Sequence, residues 1–181
     1  LRRSTAKPKS VRAPRTPAKG GMVNAQTIAD LSRNLMEKMS DVVWSVDPQN
    51  DDPKKLTERI QTYCTEMAEL HHLAVDFTAD GVFERQSIDP QRSRAALLIV
   101  KESLANILKH AQATRVSLNV QILPKRWSIT IADDGAGFLE TDLPRINGIY
   151  NMRSRAEACG GTVSVTSRPG EGTTVRLDIP L

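Results

Sequence analysis

Three stretches of alternating apolar and polar residues constrain this chain most: residues 115–123, 127–132 and 173–179. Side chains of a strand point alternately to opposite faces, so such runs bury one face of a sheet and leave the other wet. Only Pro124, Lys125 and Arg126 separate the first two, a turn that makes them paired neighbours. In the third, Val175, Leu177 and Ile179 carry the period. Residues 162–167 read as a further strand, joined to the last by the hairpin Arg168-Pro169-Gly170-Glu171-Gly172. Shorter strand-like runs lie near residues 73–77 and 82–86.

Helical periodicity fills the gaps between these runs. Ile28, Leu31, Leu35, Met39, Val42 and Val46 recur every three or four residues and predict one long helix. It stops at Asp47-Pro48-Gln49-Asn50-Asp51-Asp52-Pro53, a cluster of helix breakers. A second helix carries Leu56, Ile60, Tyr63, Cys64, Met67 and Leu70 on one side. A third, capped by Ser87 or Asp89, extends through Ala111 and buries Leu97, Leu98, Leu104, Ile107 and Leu108. A fourth occupies residues 148–159 and is stopped by Gly160-Gly161. These elements sum to an α/β two-layer sandwich: helices on one face of a mixed, mostly antiparallel sheet, preceded by one long helix.

Polar residues concentrate at three places on this frame. Glu102, Asn106, Lys109 and His110 lie on one helix at spacings that put the first three on a common face. A carboxylate, an amide oxygen, an ammonium and an imidazole can together hold a hydrated Mg²⁺ and triphosphate oxygens. Mg²⁺ takes few protein ligands, so the single oxygen of Asn106 suffices. Asp133-Asp134-Gly135-Ala136-Gly137-Phe138 follows the end of a strand, where a carboxylate can accept from an exocyclic amine such as adenine's. Glycines there allow close approach to the backbone. Residues 139–147 read as a short mobile lid hinged at Gly148, and Gly170-Glu171-Gly172-Thr173-Thr174 closes the set. Taken singly, the three are also a solvated helix edge, a tight turn and a hairpin.

Composition removes several alternatives. The net charge of +4 comes from residues 1–20, with seven basic residues and no acid. Taking those seven from the 25 Lys and Arg leaves 18 against 21 acids, a balance of −3 for the remainder. The tail, rich in Pro and Ser, is expected to be disordered, a linker rather than a nucleic-acid arm, since no aromatics interleave its charges. No apolar run approaches the roughly 20 residues of a membrane span. Cys64 and Cys159 are too far apart in sequence to suggest a disulfide framework or a metal motif, which fits a reducing cytoplasm.

In order and spacing, Glu102…Asn106…His110, DDGAGF, NGIYNMRSRAEACGG and GEGTT resemble the nucleotide-binding domain of bacterial two-component sensor histidine kinases. These belong to the GHKL ATPases, named for gyrase, Hsp90, histidine kinase and MutL. Together with MSDVVWSVDPQNDD at 39–52, the likeness covers residues 25–181 and falls in the nitrate/nitrite-sensor branch. It implies a Bergerat-type sandwich at 54–181, the last helix of a dimerisation and phosphotransfer hairpin at 24–53, and a tail at 1–23. By resemblance, Asn106 is the Mg²⁺ ligand and Asp133 recognises adenine. Lys109 and His110 sit near the phosphates, and Glu102 is the acid that assists catalysis. Gly135, Gly137, Gly148, Gly170, Gly172 and Thr173 shape the pocket.

The resemblance also implies ATP and Mg²⁺ as cofactors and a response regulator as partner. It implies a homodimeric full-length parent, with membrane contact only through a sensor region. The core is not expected to bind nucleic acid. Such a kinase needs an acceptor histidine on an upstream helix, and the chain offers only His71, His72 and His110. The expectation is therefore a fragment holding the donor half of the reaction, acting as a histidine kinase on a residue it lacks. The alternative within the superfamily is a nucleotide-dependent interaction module, such as an anti-sigma serine kinase or a scaffold pseudokinase.

Overall fold

The computed structural model describes residues 52–81, 87–139, 141 and 147–181, together with single positions at 28, 32, 36, 39 and 43. The chain divides into two compact units, Leu1–Met36 and Glu37–Leu181. In the first, Ile28, Ser32 and Met36 are helical and exposed. In the second, Met39 and Val43 are likewise. The rest of the expected long helix, the basic tail, the run at 82–86 and most of the expected lid lie outside the described residues.

Helix α1 (Pro53–His71) begins where Asp52 caps it, its carboxylate accepting from the Lys54 amide at 2.8 Å. Proline at the first position suits a turn whose N–H groups have no partner inside the helix. Leu56, Ile60, Cys64 and Ala68 form its buried stripe. Leu70, expected on that stripe, is exposed, because the i, i+4 row drifts to Ala68 over the last turn. His72 ends the helix in the left-handed region at φ 55, its amide donating to Ala68. Burial pushes the Cys64 thiol up to about 12, so it remains a protonated core residue at neutral pH.

Strand β1 (Ala74–Gly81) leads to helix α2 (Pro90–Asn106), and Asp89 is the cap, accepting from Gln91 at 2.8 Å and Arg92 at 3.4 Å. The helix buries Ala95, Ala96, Leu97, Ile99, Val100, Ser103 and Leu104. Leu98 and Leu108, expected in the core, are only half-buried. The last turn, Ile107–Ala111, widens from α to π geometry, which the sequence reading did not anticipate. Strands β2 (Arg115–Leu123) and β3 (Arg126–Asp133) follow, then helix α3 (Asn147–Glu157), β4 (Thr162–Arg168) and β5 (Gly172–Pro180).

Among the described residues, five strands form one open sheet in the order β1-β2-β3-β5-β4. Only β1 and β2 are parallel, as a connection running through a helix allows; the other pairs are antiparallel. Val116, Leu118, Val120, Trp127, Ile129, Ile131, Leu177 and Ile179 project into the core with the helices. Ser117 and Ser164, on alternate positions, are exposed. The expected two-layer α/β fold is the one observed. Its consequence for the site is positional: β3 ends at Asp133 beside the π turn that ends α2.

Candidate functional site

A cavity of about 490 Å³ opens between the end of α2, the start of α3 and the C-terminal half of β3. That lies within the range typical of small-molecule sites. Its walls are largely apolar, with Ile107, Ile131, Ile149, Met152, Val165 and Val175 among them. Polar side chains singled out by sequence converge on it, among them Asn106, His110 and Asp133. Gly137, Gly148 and Thr173 line it as well. The sequence reading missed the apolar walls, because in the pattern these residues are indistinguishable from core.

The π turn decides which part of the α2 edge faces the cavity. Ser103, Asn106, Ile107, His110 and Ala111 line it, whereas Lys109 is exposed and outside the lining. The expected grouping placed Lys109 rather than His110 with Asn106 on one face. A wider last turn brings the residue four positions on, rather than three, back to the same side. Glu102 is half-buried and outside the cavity lining, though close to two residues that belong to it: a Cβ added at Gly148 would meet its Oε1 at 2.5 Å and Asn106 Nδ2 at 3.4 Å. The carboxylate thus lies against the first turn of α3, where the helix dipole favours negative charge. Any side chain at Gly148 would displace it.

The adjacent acids of β3 have opposite environments. Asp133 is 9% exposed, and burial raises its carboxyl pKa above the ordinary value. Backbone amides of Gly135, at 2.9 Å, and Thr173 partly offset this by donating to it. Asp134 faces the other way and binds the start of β2. It accepts from the Thr114 amide at 2.8 Å, the Thr114 hydroxyl at 2.7 Å and the Arg115 amide at 2.9 Å. The Arg115 and Thr114 bonds hold its carboxyl down to about 2. One acid is a brace for the sheet and the other is kept at the cavity against its own solvation preference.

Three of the expected pocket glycines, Gly135, Gly170 and Gly172, do not line the cavity. Two of them are explained by close packing of the chain on itself. A Cβ at Gly135 would collide with the Ala111 carbonyl, and one at Gly172 with the Asp133 carbonyl. The loop after β3 is further tied by Ala136 N–H to Ala111 and Gly170 N–H to Ala136, both at 2.7 Å. These residues fix the floor under Asp133. Among the described residues no group of three or more His, Cys, Asp or Glu side chains could hold a metal ion.

The chain is similar in sequence and in fold to known proteins. The chain is similar to the oxygen sensor histidine kinase NreB of Staphylococcus carnosus, 26% identical over 160 residues, which is 87% of this chain and 46% of that protein. It is equally similar to the signal transduction histidine-protein kinase/phosphatase DegS of Brevibacillus brevis, 26% identical over 159 residues, or 85% and 40%. The chain thus spans less than half the length of each relative. Its fold matches the blue-light activated histidine kinase of Erythrobacter litoralis EL346 with a TM-score of 0.63 at 23% identity, covering 87% of this chain and 52% of that one. It also matches the Acinetobacter baumannii histidine kinase AdeS, at 0.60 and 16%, covering 90% and 86%. Residues 91–181, half of the chain, match the model of one family, and the chain belongs to it: the histidine kinase-, DNA gyrase B-, and HSP90-like ATPases.

Proposed function

We propose that residues 54–181 are the ATP-binding catalytic domain of a two-component sensor histidine kinase. In this reading it donates the γ-phosphate to a histidine outside residues 1–181, from which it passes to a response regulator. The observation that carries it is Asp133: a buried carboxylate with a raised pKa at the wall of an apolar cavity of about 490 Å³, facing Asn106 and His110 of α2. A buried acid kept ionised needs a donor, and an exocyclic amine between apolar walls supplies one.

The same residues suit a triphosphate with Mg²⁺. Asn106 offers one amide oxygen, and a metal that keeps most of its waters needs little more from the protein. A Mg²⁺ held by Asn106 would supply positive charge against the transferring phosphoryl group. The apolar side chains of Ile131, Met152 and Val175 exclude water from the faces of the base. Asp133 accepts the amine hydrogen bond and sets the register of the nucleotide. His110 faces the phosphates, while Lys109, exposed on the same turn, acts at longer range. In this reading Glu102, beside Asn106 and against α3, takes a proton from the attacking imidazole nitrogen. Glycines 135, 137, 148, 170 and 172 hold the backbone that positions these groups.

None of the three histidines of the chain serves as acceptor in this reading. His110 lines the cavity, and His71 and His72 end α1. Residues 24–53 supply part of the dimerisation hairpin, and the parent is a homodimer. No helix among the described residues is long and apolar enough to cross a membrane. The test is calorimetric titration of the full chain with ATP and Mg²⁺, followed by phosphotransfer from labelled ATP to the homologous acceptor hairpin supplied in trans. Micromolar ATP binding that vanishes in Asp133→Asn is expected, with label on a histidine. ATP binding indifferent to that substitution would remove the basis of the reading.

A further inference from the structure

Ser167, next to the cavity-lining Phe138 and Thr173, engages its hydroxyl in three polar contacts. It lies on the inner face of β4 and is 4% exposed. The Phe138 amide donates to its Oγ at 2.9 Å. The same Oγ donates to the Gly172 carbonyl at 3.0 Å and lies 2.9 Å from Thr173 Oγ1.

A serine hydroxyl has one proton and two acceptor sites. The Gly172 carbonyl can only accept, so it takes that proton. The Phe138 amide can only donate, so it takes one acceptor site. The proton in the hydroxyl pair must then come from Thr173 and fill the second. Thr173 lines the cavity, and with its proton turned toward Ser167 it offers the cavity lone pairs only. The neighbouring Asp133, supported by the amides of Gly135 and Thr173, is acceptor-only when ionised. This wall therefore carries two acceptors and no side-chain donor.

We infer that Ser167 is a positioning residue for base recognition: it locks the Thr173 hydroxyl as an acceptor, so that the wall pairs with a 6-aminopurine and rejects a 6-oxopurine. The inference rests on the reading of the cavity as an ATP site. A 6-amino group brings two N–H donors to two acceptors. A 6-oxo group sets lone pairs against these acceptors, and the N1–H beside it can satisfy only one of them, so a buried acceptor is left unpaired, the situation in which polar sites discriminate most strongly.

The experiment compares ATP with inosine triphosphate, binding each to the full chain by calorimetry in wild type, Ser167→Ala, Thr173→Val, Thr173→Ser and Asp133→Asn. The quantity read is the ratio of the two affinities within one variant, because a merely structural loss lowers both alike. Ser167→Ala frees Thr173 to turn its proton toward the 6-oxygen, and the preference for ATP should fall about fivefold, the worth of one net hydrogen bond. Thr173→Ser, which keeps the hydroxyl, should hold the wild-type ratio. A ratio in Ser167→Ala within twofold of wild type overturns the inference. Ser167→Ala also strands the Phe138 amide and the Gly172 carbonyl; should it fail to fold, Thr173→Val takes its place. There the ratio should fall similarly, and an unchanged ratio overturns the inference equally. Asp133→Asn separates the two levels. Normal ATP binding in that variant defeats the ATP reading itself, whereas lost binding alongside an unchanged ratio in Ser167→Ala defeats only the role of Ser167.

Discussion

Gly170 and Gly172 stand two residues apart in one hairpin with the same φ of +78, and they should respond very differently to alanine. A left-handed backbone costs a non-glycine residue roughly 1–2 kcal/mol. Alanine returns about 0.4–1 kcal/mol by restricting the unfolded chain. Gly170 has no neighbour within 4 Å of an added Cβ, so Gly170→Ala should cost only the difference, about 1.5 kcal/mol or less. At Gly172 the added Cβ would sit well inside contact distance of the Asp133 carbonyl, with Asp134 Cα at 3.2 Å. Backbone cannot rotate away as a side-chain tip can, and overpacking of this kind adds roughly 1–3 kcal/mol. Gly172→Ala should therefore lose about 1–4.5 kcal/mol, up to a large share of the stability of an ordinary domain. Urea unfolding followed by circular dichroism reads both variants directly. At a slope of about 2 kcal/mol per molar, the midpoint of Gly172→Ala should drop by about 0.5–2 M, and that of Gly170→Ala by less than about 0.8 M. The atoms that must move belong to Asp133, so ATP affinity should fall in Gly172→Ala and hold in Gly170→Ala. Equal midpoint shifts would refute the steric argument and leave the backbone angle as the whole cause.

Asp133→Asn should abolish ATP binding, by at least about 100-fold, without destabilising the fold. The Gly135 amide selects the amide oxygen of the new side chain, leaving its NH₂ to face the donor of the base. Because burial raises the Asp133 pKa, its contribution to stability is present in full below the ordinary carboxylate value and lost as pH rises through the raised one. Asparagine should therefore unfold at equal or higher urea than wild type at pH 7, which chemical denaturation checks. Asp134 has the opposite sign: its stabilisation is present above 3.8 and is lost as pH falls toward about 2. Asp134→Asn should flatten acid unfolding across that window while leaving ATP affinity at neutral pH within a few-fold; an unchanged acid profile counts against the bracing role. Asn106→Ala should remove the Mg²⁺ dependence of ATP binding in titrations with and without EDTA, and a retained dependence would assign the metal to another residue.

The sheet and helices were legible in the sequence because burial on one face imposes period two on β2 and β5 and period 3.6 on α1 and α2. Boundaries shifted by a residue or two where the deciding interaction is not periodic: the cap choice between Ser87 and Asp89, or the pairing that extends β3 to Arg126 and Asp133. The site divides along the same line. Asp133 and Asn106 stood out because a polar residue next to an apolar run is costly unless it has a task. The face that Asn106 shares did not, since the choice between Lys109 and His110 depends on the winding of the Ile107–Ala111 turn, and no spacing rule encodes a π turn. The glycines were legible as residue types and misleading as to cause. Gly135 and Gly172 look like places where a ligand meets backbone, but the group that meets them is another carbonyl of the same chain. Ser167 was invisible altogether: a serine alternating on a strand beside a hairpin carries no signal until the sheet folds it against Phe138, Gly172 and Thr173. Sequence thus exposes the groups that would touch a nucleotide, because those break the hydrophobic pattern. The residues that aim them obey the pattern, and only their hydrogen bonds in the fold set them apart.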